Sequence, residues 1–142
     1  MAYGRKSDPD RAIADFNKAV ELEPIYPAAY ANRGLAYAHK SDYDHAIADY
    51  SKAIEFDPKR RGTYYNRGVA YVRKLNFDSA IADFNKAIEL NPNLAETYGA
   101  RGFAYEHKKD RVRAIGDYRK ALELDPNLAV ARENLKRLGL SQ

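Results

Sequence analysis

The chain contains no cysteine. Disulfides are excluded, and with them any thiol nucleophile or Cys-ligated metal site. Histidine is scarce too: His39, His45 and His107 are the three present, and no pair stands at an obvious metal-ligand spacing. No apolar run approaches the length of a membrane span, and the N-terminus has no signal-peptide core. A soluble, cytoplasmic protein is the default expectation, with the proviso that a fragment can lose its targeting signal. A strong charge excess is also missing. The formal net charge is +4 over 142 residues. That permits weak attraction to acidic partners without marking a nucleic-acid binder. Neither a membrane, a nucleic acid nor a cofactor is expected as a partner.

What the chain does have is a period. Tyr64, Gly68, Tyr71, Ala80, Phe84, Ala87 and Pro92 recur 34 residues earlier as Tyr30, Gly34, Tyr37, Ala46, Tyr50, Ala53 and Pro58. They recur 34 residues later as Tyr98, Gly102, Tyr105, Ala114, Tyr118, Ala121 and Pro126. The back half of one more copy precedes them, in Ala12, Phe16, Ala19 and Pro24. Position 1 of the three complete copies falls at Pro27, Arg61 and Ala95. A strict period of this length means a stack of similar units, each touching its neighbours, with no single central core.

Each unit reads as two helices. Apolar residues at helical spacing run from Ala12 to Leu22 after Ser7 or Asp8 as cap and Pro9 in the first turn. Helices follow near 27–39, from the turn at Ser41 and Asp42 to about Phe56, then at 61–73 with 77–90 and 95–107 with 111–124. Asn76 or Asp78, and Asp110, start the later second helices. Residues 1 to 6 are expected to lie inside a first helix, because Tyr3 stands in register with Tyr37. The expected units are a partial one at 1–26, full ones at 27–60, 61–94 and 95–128, and a C-terminal capping helix and tail at 129–142.

The repeated residues have physical tasks. Glycine at position 8 removes a side chain where the two helices of a unit cross, at a helix-propensity cost of about 1 kcal/mol. Alanine at positions 20 and 27 lets the second helix approach both neighbours. Aromatics at positions 4, 11 and 24 fill the larger gaps, and proline at position 32 ends the second helix. The last segment keeps Leu128, Leu135 and Leu138 but has Arg132 at the aromatic position and Lys136 at the glycine position. A helix apolar on one face and polar on the other is what a terminal cap requires.

These residues resemble the signature of the tetratricopeptide repeat family, which is Trp, Leu, Gly, Tyr, then Ala, Phe and Pro. Tyr30, Tyr64 and Tyr98 stand at the Trp position, and Arg33, Arg67 and Arg101 at the Leu position. The resemblance implies an all-α, right-handed superhelical solenoid of antiparallel helix pairs. It also implies a non-catalytic scaffold whose first helices line a concave groove for a peptide or helix of another protein.

The arginines are a departure with a candidate explanation. Position 23 is aspartate in every copy: Asp15, Asp49, Asp83 and Asp117. Each arginine is expected to reach an aspartate of its own unit or of the unit before. The alternative is a row of exposed ion pairs worth about 0–1 kcal/mol each.

Carried onto this chain, the family's groove positions single out Ala31, Asn32, Leu35 and His39 from the first full unit. They add Tyr65, Asn66, Val69, Val72 and Arg73 from the next, and Gly99, Ala100, Phe103, Glu106 and His107 from the third. Leu35, Val69 and Phe103 either form a stripe along the concave floor or pack inward against neighbouring first helices. The resemblance includes a mode that grips a terminal carboxylate. Its cationic and amide positions are held here by Ala31, Leu35, Glu96 and Ala100, with Asn66 alone matching, so that ligand is not expected.

Lys59-Arg60-Arg61 and Lys108-Lys109-Asp110-Arg111 read as solvated turns. The carboxylates of Asp42, Asp44, Asp49, Asp78 and Asp83 are accounted for by capping or by the arginines, and no catalytic cluster or metal site emerges. The rival to a groove scaffold is a structural module that forms a homo-oligomer through an exposed N-terminal end around Ile13, Phe16 and Val20. Within the array, the helix at 111–124 is expected to fray first, because Arg111 replaces an aromatic and Gly116 an alanine.

Overall fold

The computed structural model describes residues 8–140, so the expected register of Tyr3 lies outside the described residues. Among the described residues there are eight helices and no strand. They are α1 (Pro9–Leu22), α2 (Pro27–His39), α3 (Tyr43–Phe56), α4 (Arg61–Arg73), α5 (Phe77–Leu90), α6 (Ala95–His107), α7 (Arg111–Leu124) and α8 (Ala129–Arg137). Each helix packs on its neighbours in sequence, and α2, α4 and α6 also touch one another in turn. The result is a solenoid: α2, α4 and α6 form one layer, and the second helices of the units form the other.

One turn chemistry joins the two helices of every full unit. The first helix closes through a left-handed residue, at Ser41, Leu75 and Lys109 (φ 61°, 60° and 66°). The next backbone N–H reaches back to the carbonyl of Tyr37, Tyr71 or Tyr105 at 2.9 Å, a Schellman closure. That same residue then caps the second helix with its side chain. Asp42, Asn76 and Asp110 accept from the N–H groups of His45, Ser79 and Arg113. Gly139 (φ 78°) closes α8 in the same way.

The glycine argument holds at atomic distances. A Cβ built on Gly68 would lie 2.7 Å from Cε1 of Phe84, and one on Gly34 or Gly102 would lie 2.9 Å from Tyr50 or Tyr118. Those three aromatics and the alanines at positions 20 and 27 of the three full units are fully buried.

Arg33, Arg67 and Arg101 each hold the aspartate of their own unit in a two-pronged grip. For Arg67 the bonds are Nε to Asp83 Oδ2 at 2.8 Å and Nη2 to Oδ1 at 2.7 Å. The third nitrogen reaches the unit before: Nη1 donates to Ser51 Oγ at 2.9 Å, and its counterparts donate to Asn17 and Asn85. One side chain thus ties three helices. Hydrogen bonding to the carboxylate raises the guanidinium pKa above its ordinary value in all three cases, against the opposing effect of burial. A second, exposed ladder pairs Lys40, Lys74 and Lys108 with Asp10, Asp44 and Asp78 of the preceding unit.

The arginine ladder stops at α8. Arg119 stands where Asn17, Ser51 and Asn85 accept, and Leu135 stands where the arginine would donate. Leu135 and Ala131 are instead buried against Ala114, Tyr118, Ala121 and Leu122. Arg132 takes over one task of the tyrosine it replaces: it donates to the carbonyl of Pro126, as Tyr30 donates to that of Pro24. Arg111 donates to the carbonyl of Leu138 at 2.6 Å. By contrast, α1 has no buried residue, and Ile13, Phe16 and Val20 are half-buried.

Candidate binding groove

The layer of first helices leaves a cavity of about 670 Å³ between α4, α6 and the start of α8. Its shape follows from the repeat. Gly99 and Ala100 of α6 leave room beside α4, and a second helix supplies the buried Phe84. The walls are apolar: Val69 and Val72 on one side, Phe103 on the other, with Phe77, Leu128 and Val130 closing the ends. A second hollow of about 260 Å³ is lined by Arg61, Gly62 and residues 93–97. It shares Tyr65 and Glu96 with the first.

The polar groups are few and differ between the mouths. Arg73 lies at one, exposed and outside every ion pair among the described residues, whereas its neighbour Lys74 is held by Asp44. His107 stands beside it, stacked on Phe77 and tilted against Phe103 with centroids 5.0 and 4.1 Å away. Its Nδ1–H donates to the Phe103 carbonyl at 3.0 Å, which fixes the ring in the wall. At the other mouth Glu96 and Arg61 border the same hollow with opposite signs. Burial, aided by the charge of Glu96, raises the pKa of the Tyr65 phenol and keeps it neutral.

Eight of the sequence-derived groove residues come together in the cavity: Tyr65, Val69, Val72, Arg73, Gly99, Ala100, Phe103 and His107. Asn32, Leu35, His39 and Asn66 do not line it. The first three are exposed on α2, with Leu35 at 40% exposure, and Asn66 is half-buried on α4. Glu106, a groove position by family register, serves the cap instead. It accepts from Tyr118 Oη at 2.9 Å and from Arg137, and hydrogen bonding to Arg137 lowers its pKa.

The repeat register did not point to Leu75, Phe77, Leu128 or Val130. They lie in turns, at a helix start and at the cap, outside the first-helix positions. Leu75 was nonetheless conspicuous in principle. The three copies read Ser41, Leu75 and Lys109 at this position, and the single apolar residue is the one beside the cavity.

Among the described residues no group of three His, Asp or Glu could hold a metal ion, and no helix is long and apolar enough to cross a membrane. The carboxylates singled out in the sequence each have a partner. Asp42 caps α3 and holds the exposed His45 at 2.7 Å, and the others pair with the lysines and arginines above.

Comparison with known proteins agrees with this architecture. The chain is similar to a protein whose structure is titled crystal structure of MamA, at 25% identity and TM-score 0.88, over 95% of this chain and 81% of that one. It is similar to the first TPR of Spaghetti (RPAP3) bound to HSP90 peptide SRMEEVD, at 32% identity and TM-score 0.78, over 80% and 90% of the two chains. It also resembles the Arabidopsis OM64 TPR domain, at 28% identity and TM-score 0.77, over 79% and 93%. No curated protein matches it. A family model described as tetratricopeptide repeat matches residues 27–60, 63–94 and 95–128, and a second of the same description matches residues 1–26. Those matches span most of the chain in one register, and it belongs to the tetratricopeptide repeat family.

Proposed function

We propose that this protein is a non-catalytic interaction scaffold that takes a peptide or helix of a partner protein in its concave groove. The observation that carries the reading is the apolar cavity of about 670 Å³ between α4, α6 and the cap. It is open, walled by side chains from several elements, and poor in fixed polar groups. Such a surface costs free energy while it faces water and regains it when an apolar side chain enters. That a similar domain holds the peptide SRMEEVD supports a peptide as occupant. The grip on a terminal carboxylate is not carried over, because Ala31, Leu35, Glu96 and Ala100 offer no cation or amide.

The test is to replace Leu35, Val69 and Phe103 with aspartate and compare capture of partners with that of the unaltered chain. Loss of specific partners with an unchanged helical circular-dichroism spectrum is the expected result. Partners retained in full by the triple variant would refute the groove.

A second reading has its own observation. No residue of α1 is buried, and Leu22 and Ile25 at its end are 87% and 69% exposed. Self-association through this end would cover them. Multi-angle light scattering across concentrations, with Leu22→Lys and Ile25→Lys as comparison, reads it directly. A monomer at every concentration excludes it.

A further inference from the structure

We infer that the groove of this chain selects an internal acidic–apolar segment, with an apolar side chain over Leu75 and a carboxylate on Arg73; this rests on the groove reading above. Two independent observations meet at that mouth.

The first is a leucine that local physics disfavours. Leu75 sits in the left-handed region at φ 60° and is 73% exposed. An L-residue with a Cβ pays roughly 1–2 kcal/mol there, and an exposed leucine returns nothing for it. Ser41 and Lys109 do the same turn with polar side chains. Only the copy that borders the cavity places an apolar side chain on the turn, beside Val72 and facing the space lined by Phe103. A residue kept at a local cost beside an open apolar cavity is explained by a contact made when the cavity is filled. Val130, 59% exposed at the opposite lip, extends the same surface.

The second is the charge pattern. The cations on this edge of the solenoid are neutralised in series: Lys40 by Asp10, Lys74 by Asp44 and Lys108 by Asp78. Arg73, one residue before that row and in register with His39 and His107, has no carboxylate partner among the described residues and lines the cavity two residues from Leu75. At the far end Glu96 lines the cavity and disfavours an acid there, while Arg61 borders only the adjoining hollow. The complementary ligand therefore carries its acid at the Arg73 end only. The positions that would grip a chain terminus hold Ala31, Leu35, Glu96 and Ala100 and offer no cation, so the acid is a side chain.

The experiment uses a displayed library of random peptides, presented both with free and with blocked C-termini. The unaltered protein is compared with three variants: Val69→Asp combined with Phe103→Asp, Arg73→Glu, and Leu75→Asn. Asparagine tolerates the left-handed turn, so that variant folds at least as well. Peptides with an apolar residue next to Asp or Glu are expected to be enriched, whether or not the terminus is blocked. Arg73→Glu should weaken them by about tenfold, since attraction becomes repulsion, and should favour Lys or Arg instead. Leu75→Asn should weaken them about fivefold through lost apolar contact without lowering the urea midpoint. Enrichment without the acidic residue, indifference to Arg73→Glu, or dependence on a free terminus would overturn the inference while leaving the groove. Peptides bound equally by the Val69–Phe103 double variant, or none enriched at all, would overturn both.

Discussion

Replacing Arg67 with methionine should cost far more than a surface charge is worth. Its guanidinium makes two short bonds to Asp83 and one to Ser51, at 2.8, 2.7 and 2.9 Å. The side chains are 19% and 7% exposed. Removing the cation leaves Asp83 buried beside apolar neighbours without its partner, a situation that costs about 3–5 kcal/mol in other proteins. Residual solvent access at Arg67 moves the expectation to the lower end, about 3 kcal/mol. Replacing Asp83 alone with leucine should cost a similar amount for the converse reason. The double variant removes both buried charges, so its loss should fall about 2 kcal/mol or more short of the sum of the two singles. Urea denaturation followed by circular dichroism measures all four proteins. Hydrogen exchange in α4 and α5 localises the effect, because a solenoid can open unit by unit. A loss below about 1 kcal/mol for Arg67→Met would place the pair with exposed ion pairs and refute the reasoning. Simple additivity in the double variant would do the same.

Other expectations follow from single contacts. Gly68→Ala should destabilise by about 1–3 kcal/mol, because its Cβ would lie 2.7 Å from the fully buried Phe84; Gly116→Ala meets nothing within 4 Å and should stabilise by about 0.5–1 kcal/mol. Both are read from urea midpoints. The cap should loosen in acid: the pKa of Glu106 is held below its ordinary value by Arg137, so its contribution is present above the unfolded carboxylate range and is lost as pH falls through the lowered value. Exchange of α8 amides against pH checks this. At high pH the sign reverses: burial pushes Tyr50 up to about 12, so its contribution is complete below the ordinary phenol range and is lost as pH rises through that value. Absorbance titration alongside ellipticity should show the phenol ionising with unfolding. Finally, α1 should exchange before any other described helix, since it alone has no buried residue. Faster exchange in α7 than in α5, expected from Gly116 and Arg111, is read in the same experiment and competes with the bond from Arg111 to Leu138.

Most of the architecture was legible in the residues, because each unit of such an array touches only its neighbours and the period itself encodes the contacts. Gly68 announced a close approach, and Asp42, Asn76 and Asp110 announced helix starts. The groove was half legible. Val69, Phe103, Tyr65, Arg73 and His107 could be named from register alone. Leu75, Phe77, Leu128 and Val130 could not, since they come from turns, a helix start and the cap. Whether such residues border one space depends on how the first helices splay. The same division applies to the arginines. The sequence supplied two candidate aspartates for each, and the antiparallel pairing of helices within a unit selected the near one, 16 residues on. The third guanidinium nitrogen, reaching back to Asn17, Ser51 or Asn85, was invisible in one dimension. Sequence by itself determined the repeat and its register, because those are properties of nearest-neighbour packing. Tertiary structure alone decided where the period breaks into an open apolar mouth beside Arg73, because that requires several elements far apart in the chain to converge.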